Sequence, residues 1–183
     1  MVGLVHHMFF DWIKARGGVE AVSEVKRRAR VPGQKQFRLS EVYNDEELQR
    51  LLAAGGEVLG LSQSQLEDEF AAACFEDFLE RWPTFFRISL NAREFLERQP
   101  AIHNSFVSGA LSPLERRGIT DKFRLERLEQ ETVAHYNSVN RLCGFYMAIA
   151  RRVIDYYENQ ATIEELQCMR KGDPECEIHI RWL

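Results

Sequence analysis

The periodicity of the apolar residues changes near Pro113, and this change constrains the fold more than any single motif does. Before it, apolar residues recur every three or four positions, which is typical of helices. After it, the pattern predicts four strands, at 122–128, 131–138, 162–170 and 175–182. An amphipathic helix at 142–156 interrupts them. We therefore predict an α+β fold, with an N-terminal helical lobe followed by an antiparallel sheet lobe on which a long helix packs.

Length and composition indicate one domain, 1–183, which we divide into a helical lobe at 1–60 and an α/β lobe at 61–183. A net charge of −4 gives no general attraction to nucleic acid or to an anionic membrane. No apolar run is as long as a membrane span, and no cationic region precedes the apolar residues at the N-terminus. We expect a cytoplasmic protein whose four cysteines are free thiols or metal ligands before they are disulfides.

His103 is predicted on the apolar side of a helix. Its helical neighbours at offsets of three, four or seven are Leu96, Phe106, Val107 and Ala110. An imidazole in an apolar interior needs a hydrogen-bond partner, or it binds a metal through a neutral ring nitrogen. From these residues alone, a structural histidine is the simpler interpretation.

Three of the cysteines have spacings that bring them together in the predicted fold. Counting outward from the hairpin turn places Cys168 nearly opposite Cys176, and Cys143 begins the long helix. The three are a zinc site, a disulfide with one free thiol, or unrelated core residues. Glu165 is within reach as a fourth ligand, whereas strand alternation puts His179 on the opposite face from Cys176.

A second polar group lies near the end of the second predicted strand. On an extended segment, Tyr136, Ser138 and Asn140 project to one side, next to Arg141. A phenol, a hydroxyl and an amide beside a guanidinium are suited to an anion such as a carboxylate. No phosphate loop, nucleophile elbow or zinc-protease motif is present, so we predict that the domain is not an enzyme.

Local signals complete the prediction for the helices. Gly17-Gly18 should end the first helix, and Asn44 or Asp45 should cap the next one. Asn91, three residues before Glu94, should cap a short helix at 92–98. Gly55-Gly56 lies inside that helix, where it costs stability unless close packing requires it. We interpret His6-His7 as a tag remnant or a surface pair.

Over essentially its whole length, the chain resembles the bacterial haem–nitric oxide/oxygen-binding (H-NOX) domains, relatives of the sensor domain of soluble guanylate cyclase. The order and spacing of several motifs carry the resemblance. They are the opening Met1-Val2-Gly3-Leu4-Val5, the segment 37–60, the pairs Phe95-Leu96 and Ile102-His103, the residues Tyr136 and Ser138 of a Tyr-x-Ser-x-Arg motif, and Cys143, Cys168 and Cys176.

The resemblance implies haem b as cofactor, with His103 as the proximal ligand of the iron. Tyr136 and Ser138, with Asn140 and Arg141, would hold the haem propionates. The implied distal pocket consists of Val5, Cys74, Phe78, Phe145, Tyr146 and Met147, and the implied zinc ligands are Cys143, Cys168, Cys176 and Glu165. The sequence departs from the family where Asn140 replaces the motif arginine and Glu165 replaces a zinc-binding histidine. The proline that the family packs against the haem is missing near 121–122.

The implied function is a gas sensor, and the mostly apolar distal residues favour nitric oxide over oxygen. Release of His103 would pass the signal to a separate partner, a histidine kinase or a cyclic-di-GMP enzyme. One alternative is a haem-less module of the same fold that binds another ligand or a protein. Another is a zinc-thiolate redox sensor built on Cys143, Cys168 and Cys176.

Overall fold

A computed structural model of the chain describes residues 2–39, 41–105 and 122–183, except for the side chains of His103 and Ser105. Helices come first and a four-stranded antiparallel sheet follows, which confirms the predicted α+β class. The chain forms two compact units, Met1–Asp77 and Phe78–Leu183. The division falls inside a helix, whereas the sequence places it after residue 60, where glycine ends the preceding helix.

The first unit begins with helix α1 (Gly3–Arg28), which has a kink in its middle. Gly18 has φ +75° and ψ −171°, values outside the helical region that glycine adopts at little cost. The predicted break at Gly17-Gly18 is therefore confirmed as a kink between two helical segments. Helix α2 (Asp45–Leu59) starts where the Asn44 side chain accepts a hydrogen bond from the backbone N–H of Glu46, so Asn44 is the cap.

Helix α3 (Gln63–Arg81) contributes its first part to the core of this unit. The ring of Phe9 lies edge-on to Phe70, with centroids 5.5 Å apart. Gly55 explains the glycine pair in α2, since a Cβ at this position would lie 2.8 Å from the ring of Phe9. The two helices approach so closely that α2 has no room for a side chain there.

The prediction that His6 belongs to a surface pair is wrong. Its ring is fully buried and stacks on Phe37, with centroids 4.3 Å apart, and its edge meets Tyr43. Burial lowers the pKa of His6 to about 4, so the fold holds the neutral form. The pattern of apolar residues in α1 does not mark this position because histidine is a polar residue type that this fold buries in its neutral form.

The second unit begins with the end of α3 and three short helices, α4 (Pro83–Arg87), α5 (Ala92–Glu97) and α6 (Gln99–Ser105). The predicted cap of α5 is confirmed, since the Asn91 side chain accepts a hydrogen bond from Glu94 N. Leu96 belongs to α5 and His103 to α6, so the two do not share one helix. The residues predicted on the face of His103, Phe106, Val107 and Ala110, lie outside the described ones.

The sheet consists of β1 (Phe123–Arg127), β2 (Glu131–Tyr136), β3 (Ala161–Gln167) and β4 (Cys176–Trp182), in the order β1-β2-β4-β3. Helix α7 (Cys143–Tyr156) connects β2 to β3. Cys176, Ile178 and Ile180 are fully buried on one face of β4, as their alternation predicts. None of the described helices combines the length and apolarity needed to cross a bilayer.

Candidate functional site

The fold brings Cys143, Cys168, Cys176 and Glu165 into one cluster inside the second unit. One ligand atom from each residue lies within 4.8 Å of the others, and all three cysteines are buried free thiols. Strand β3 ends at Gln167, where it pairs with Glu177 after a bulge. The sequence predicted strand up to residue 170, but a 3-10 turn at Met169–Lys171 replaces its end and positions Cys168 beside the start of β4.

The cluster fits a tetrahedral zinc ion in its donor types and in its spacing. Zinc–sulfur bonds of 2.3 Å at tetrahedral angles require sulfur atoms about 3.8 Å apart. The Sγ atoms of Cys143 and Cys168 are 3.7 Å apart. Glu165 Oε1 is buried and accepts no hydrogen bond from the described residues, which makes it an available fourth donor.

One backbone N–H donates to a sulfur atom of the cluster, and another fixes the turn beside it. The N–H of Met169 donates to Cys176 Sγ over 3.3 Å, and the N–H of Cys168 donates to the Asp173 carboxylate over 2.7 Å. Such bonds fix the turn that presents Cys168 and favour thiolate at Cys176. Burial nevertheless raises the pKa of both Cys143 and Cys176, and the nearby Glu165 carboxylate raises that of Cys143 further.

His179 takes no part in the cluster, as strand alternation predicts. It lies on the other face of β4, where its ring nitrogens are 2.8 Å from Glu131 Oε1 and 2.7 Å from Glu177 Oε1. Hydrogen bonds to these two carboxylates outweigh the effect of burial and raise its pKa. The sheet itself therefore separates this histidine from the three sulfur atoms.

The predicted anion-binding residues are buried, but the backbone that carries them is not a strand throughout. Strand β2 ends at Tyr136, and the N–H of Arg141 donates to Ser138 O over 3.0 Å to close a turn. Tyr136, Ser138 and Asn140 remain buried through this turn. Burial raises the pKa of Tyr136 to about 12, so its hydroxyl keeps its proton and can donate a hydrogen bond.

Arg141 lies on the exposed side of this turn and does not join the three buried residues. Its φ is +50° and it is exposed, whereas Asn140 is buried. The guanidinium of Arg170 donates two hydrogen bonds to the carbonyl of Arg141. Arg170 follows Cys168 in the 3-10 turn, so it connects the cysteine cluster to the turn after Tyr136. No sequence pattern marked Arg170, because the contact joins positions 29 residues apart.

The remaining predicted site residues are distributed over several helices. His103 lies in α6, and its side chain is outside the description. In the first unit, Val5 is half-buried in α1 and Cys74 is buried in α3. In the second unit, Phe78 and Phe145 are half-buried. Their assignment to a gas-binding pocket stays a prediction.

Tyr146 packs into the core under the sheet. Its ring lies 5.2 Å from that of Phe123, in the same buried cluster as Tyr136, Cys143 and Cys176. Its hydroxyl has no hydrogen-bond partner among the described residues. Tyr146 therefore shares the sheet-facing side of α7 with Cys143, three positions before it.

The chain thus consists of a helical unit followed by a four-stranded antiparallel sheet with one long helix between its second and third strands. The sequence model of the family described as Haem-NO-binding matches residues 2–165. The chain therefore belongs to the H-NOX family, whose members are haem-based gas-sensing domains rather than catalysts, as the resemblance implied.

Solved structures of this family have the same fold. An H-NOX protein from S. oneidensis in the Fe(II)NO state aligns over 100% of this chain and 99% of its own, with a TM-score of 0.81 and 15% identity. An unliganded Fe(II) H-NOX mutant from K. algicida aligns over 100% of this chain and 97% of its own, with a TM-score of 0.79 and 15% identity. The third structure is the oxygen complex of an oxygen-binding H-NOX domain related to soluble guanylate cyclases. It aligns over 100% of this chain and 95% of its own, with a TM-score of 0.73 and 16% identity.

Proposed function

We propose that this chain is a haem-based sensor of nitric oxide in which His103 is the protein ligand of the iron. The match of the Haem-NO-binding family to residues 2–165 carries this proposal. Bound haem would supply an iron atom that one imidazole holds, with a further coordination position for a diatomic gas.

Within this proposal, the turn after β2 holds the haem propionates. Tyr136, Ser138 and Asn140 offer a buried phenol, hydroxyl and amide, which suit a carboxylate. They lack the cation of the family motif, and Arg141 is exposed. Because each hydrogen bond to a charged group contributes roughly 1.5–3 kcal/mol, we expect haem to bind more weakly here than with the motif arginine.

We propose nitric oxide as the ligand because the predicted distal residues are mostly apolar. Bound oxygen carries partial negative charge, and its complex is stabilised by a hydrogen-bond donor. Tyr146 is the one hydroxyl among the predicted distal residues, and it packs with the sheet-facing core of α7. This placement supports selectivity for nitric oxide.

We place the switch at His103. Its release from the iron would free α6, which is a two-state element biased by a ligand. A separate protein would then read the change, and the family resemblance implies a histidine kinase or a cyclic-di-GMP enzyme.

The first test is the absorption spectrum of the full chain purified from haem-supplied cells. We expect a Soret band that His103→Gly loses and that added imidazole restores. His179→Gln is the matched control, since His179 lies on the outer face of the sheet, and it should keep the band. A wild-type protein without a Soret band, or a His103→Gly protein that retains it, would refute the proposal. The first of these outcomes would favour a haem-less ligand- or protein-binding module of the same fold.

The cysteine cluster supports a second candidate function, a zinc-thiolate redox sensor. The observation that supports this function is the 3.7 Å distance between the Sγ atoms of Cys143 and Cys168. Hydrogen peroxide would oxidise the two zinc-bound thiolates to a disulfide, taking two electrons from the sulfur atoms and two protons from solvent and leaving as two molecules of water. The metal content, measured before and after peroxide, tests this function. We expect one zinc per chain that peroxide releases, and Cys74→Ala should retain zinc because Cys74 lies outside the cluster.

A further inference from the structure

The carboxylate of Glu97, the last residue of α5, is the centre of a polar network. Its Oε1 accepts hydrogen bonds from Arg93 Nε and from Thr132 Oγ1, each over 2.9 Å. Its Oε2 pairs with Arg127 Nε over 3.1 Å. Only 11% of the Glu97 side chain is exposed, so three donors neutralise and satisfy a largely buried carboxylate.

Thr132 extends this network across the sheet. It is buried in β2, and its hydroxyl accepts a hydrogen bond from the indole N–H of Trp182 over 3.0 Å while it donates to Glu97. Arg127 belongs to β1 and Trp182 to β4. One carboxylate at the end of α5 is thus connected to three of the four strands.

The rest of α5 is also held in place. At its start, the N–H of Ala92 donates to the Asn159 side chain over 2.8 Å. Arg93 donates to the carbonyl groups of Leu128 and Glu129 in the β1–β2 turn. Short helices have little stability of their own, so these bonds rather than helix propensity fix α5 on the sheet.

Helix α6 begins just beyond this anchored segment. Arg98 is the single residue between α5 and α6, and Pro100 lies in the first turn of α6. Proline has no N–H to donate toward α5, so the backbone between the two helices has fewer hydrogen bonds than a continuous helix. Helix α6 can therefore rotate about Arg98 while α5 stays in place.

We propose that Glu97 is a positioning residue for His103. Its network with Thr132, Arg127 and Trp182 holds the pivot of α6 against the sheet. This inference rests on the proposed role of His103 as the iron ligand. It adds that the anchored end of α5 is the fixed point about which α6, and His103 with it, moves. Loosening the pivot should leave α6 mobile even before any gas binds.

Amide hydrogen exchange on the full chain without haem tests the Glu97 network independently of haem binding. Thr132→Val removes both bonds of the hydroxyl and keeps the shape of the side chain. We expect its α6 amides to exchange about fivefold to tenfold faster, the effect of losing one or two hydrogen bonds. Thr132→Ser keeps the hydroxyl and should restore the wild-type rate. Glu97→Gln, which removes the charge, should raise the rate as well.

Val153→Ala is the control for a general loss of stability. Val153 is fully buried in α7, and among the described residues it makes no hydrogen bond to the Glu97 network. It should lower the melting temperature without a selective rise in α6 exchange. Unchanged α6 exchange in Thr132→Val and Glu97→Gln, or a serine variant as fast as the valine one, would overturn the proposal.

Haem transfer to apomyoglobin separates this proposal from the proposed function. If His103 holds the iron, Glu97→Gln should lose haem about fivefold faster than wild type, while Val153→Ala should not. A wild-type chain that never binds haem would refute the proposed function but leave the exchange result standing. A haem-bound chain with equal loss rates would refute the positioning role of Glu97.

Discussion

His6 shows how one buried side chain makes the stability of the fold depend on pH. Its pKa is about 4 in the folded chain and near 6.5 when exposed. Because the folded pKa is the lower one, the unfolded chain takes up a proton first as the pH falls. The stability that neutral His6 provides is complete above pH 6.5 and is lost toward pH 4, an effect of about 3 kcal/mol.

We therefore predict that acid destabilises the wild type more than a His6→Phe variant. Phenylalanine keeps an aromatic ring against Phe37 and cannot be protonated. Urea denaturation at pH 7.5 and pH 4.5 measures the free energy of unfolding of both proteins. Equal losses in the two proteins would mean that His6 is charged or exposed.

The cysteine cluster gives a second prediction at the level of single residues. Burial raises the pKa of Cys143 and Cys176, so metal-free thiols keep their protons at neutral pH. Zinc must displace these protons, and its apparent affinity should rise about tenfold per pH unit for each proton released. Competition with a chelator between pH 6 and 8 measures the slope, and Cys143→Ser should reduce it. An affinity independent of pH would argue against thiolate ligands.

At the level of elements, the contact between α1 and α2 depends on Gly55. Alanine in a helix is favoured over glycine by about 0.5–1 kcal/mol. Here its Cβ would meet the ring of Phe9, which is fully buried, and overpacking costs about 1–3 kcal/mol. Overpacking is the larger effect, so Gly55→Ala should lower the free energy of unfolding. Gly33→Ala, at a position with open space around it, is the control, and its change should stay within about 0.5 kcal/mol.

On the sheet face opposite the cysteine cluster, His179 should stabilise the fold at low pH rather than at high pH, the opposite of His6. His179 bridges Glu131 and Glu177, and Arg181 pairs with Glu131 and Glu164. The pKa of His179 is raised, so the stability it provides is present below pH 6.5 and is lost as the pH rises through the folded pKa. Thermal melting of wild type and His179→Gln at pH 6 and pH 8 measures this, and the two proteins should differ more at pH 6.

At the level of the whole molecule, haem should stabilise the chain. A ligand that binds only the folded state at 100 times its dissociation constant adds about 2.7 kcal/mol. For a chain of this length, that corresponds to a rise of roughly 5–10 °C in the melting temperature. Calorimetry with and without haem measures the rise, and His103→Gly should reduce it. An equal rise in both proteins would mean that haem binds without His103.

The sequence predicted some contacts because their signal is local. Asn44 and Asn91 each precede a helix, and the alternation in β4 separates Cys176 from His179. The contact of Arg170 with Arg141, and the network of Glu97 with Thr132 and Trp182, join residues far apart in the chain. The periodic patterns of a single sequence do not mark such long-range contacts.

The sequence by itself determined the fold class, the order of helices and strands, and the family, because hydrophobic periodicity, caps and motif spacing are properties of neighbouring residues. The tertiary structure decided that His6 is a neutral core residue, that Arg141 faces water, and that three thiols and one carboxylate lie within 4.8 Å. Those outcomes depend on which surfaces the packed elements remove from water, and burial is what sets the charge of a side chain and the ligand that it can bind.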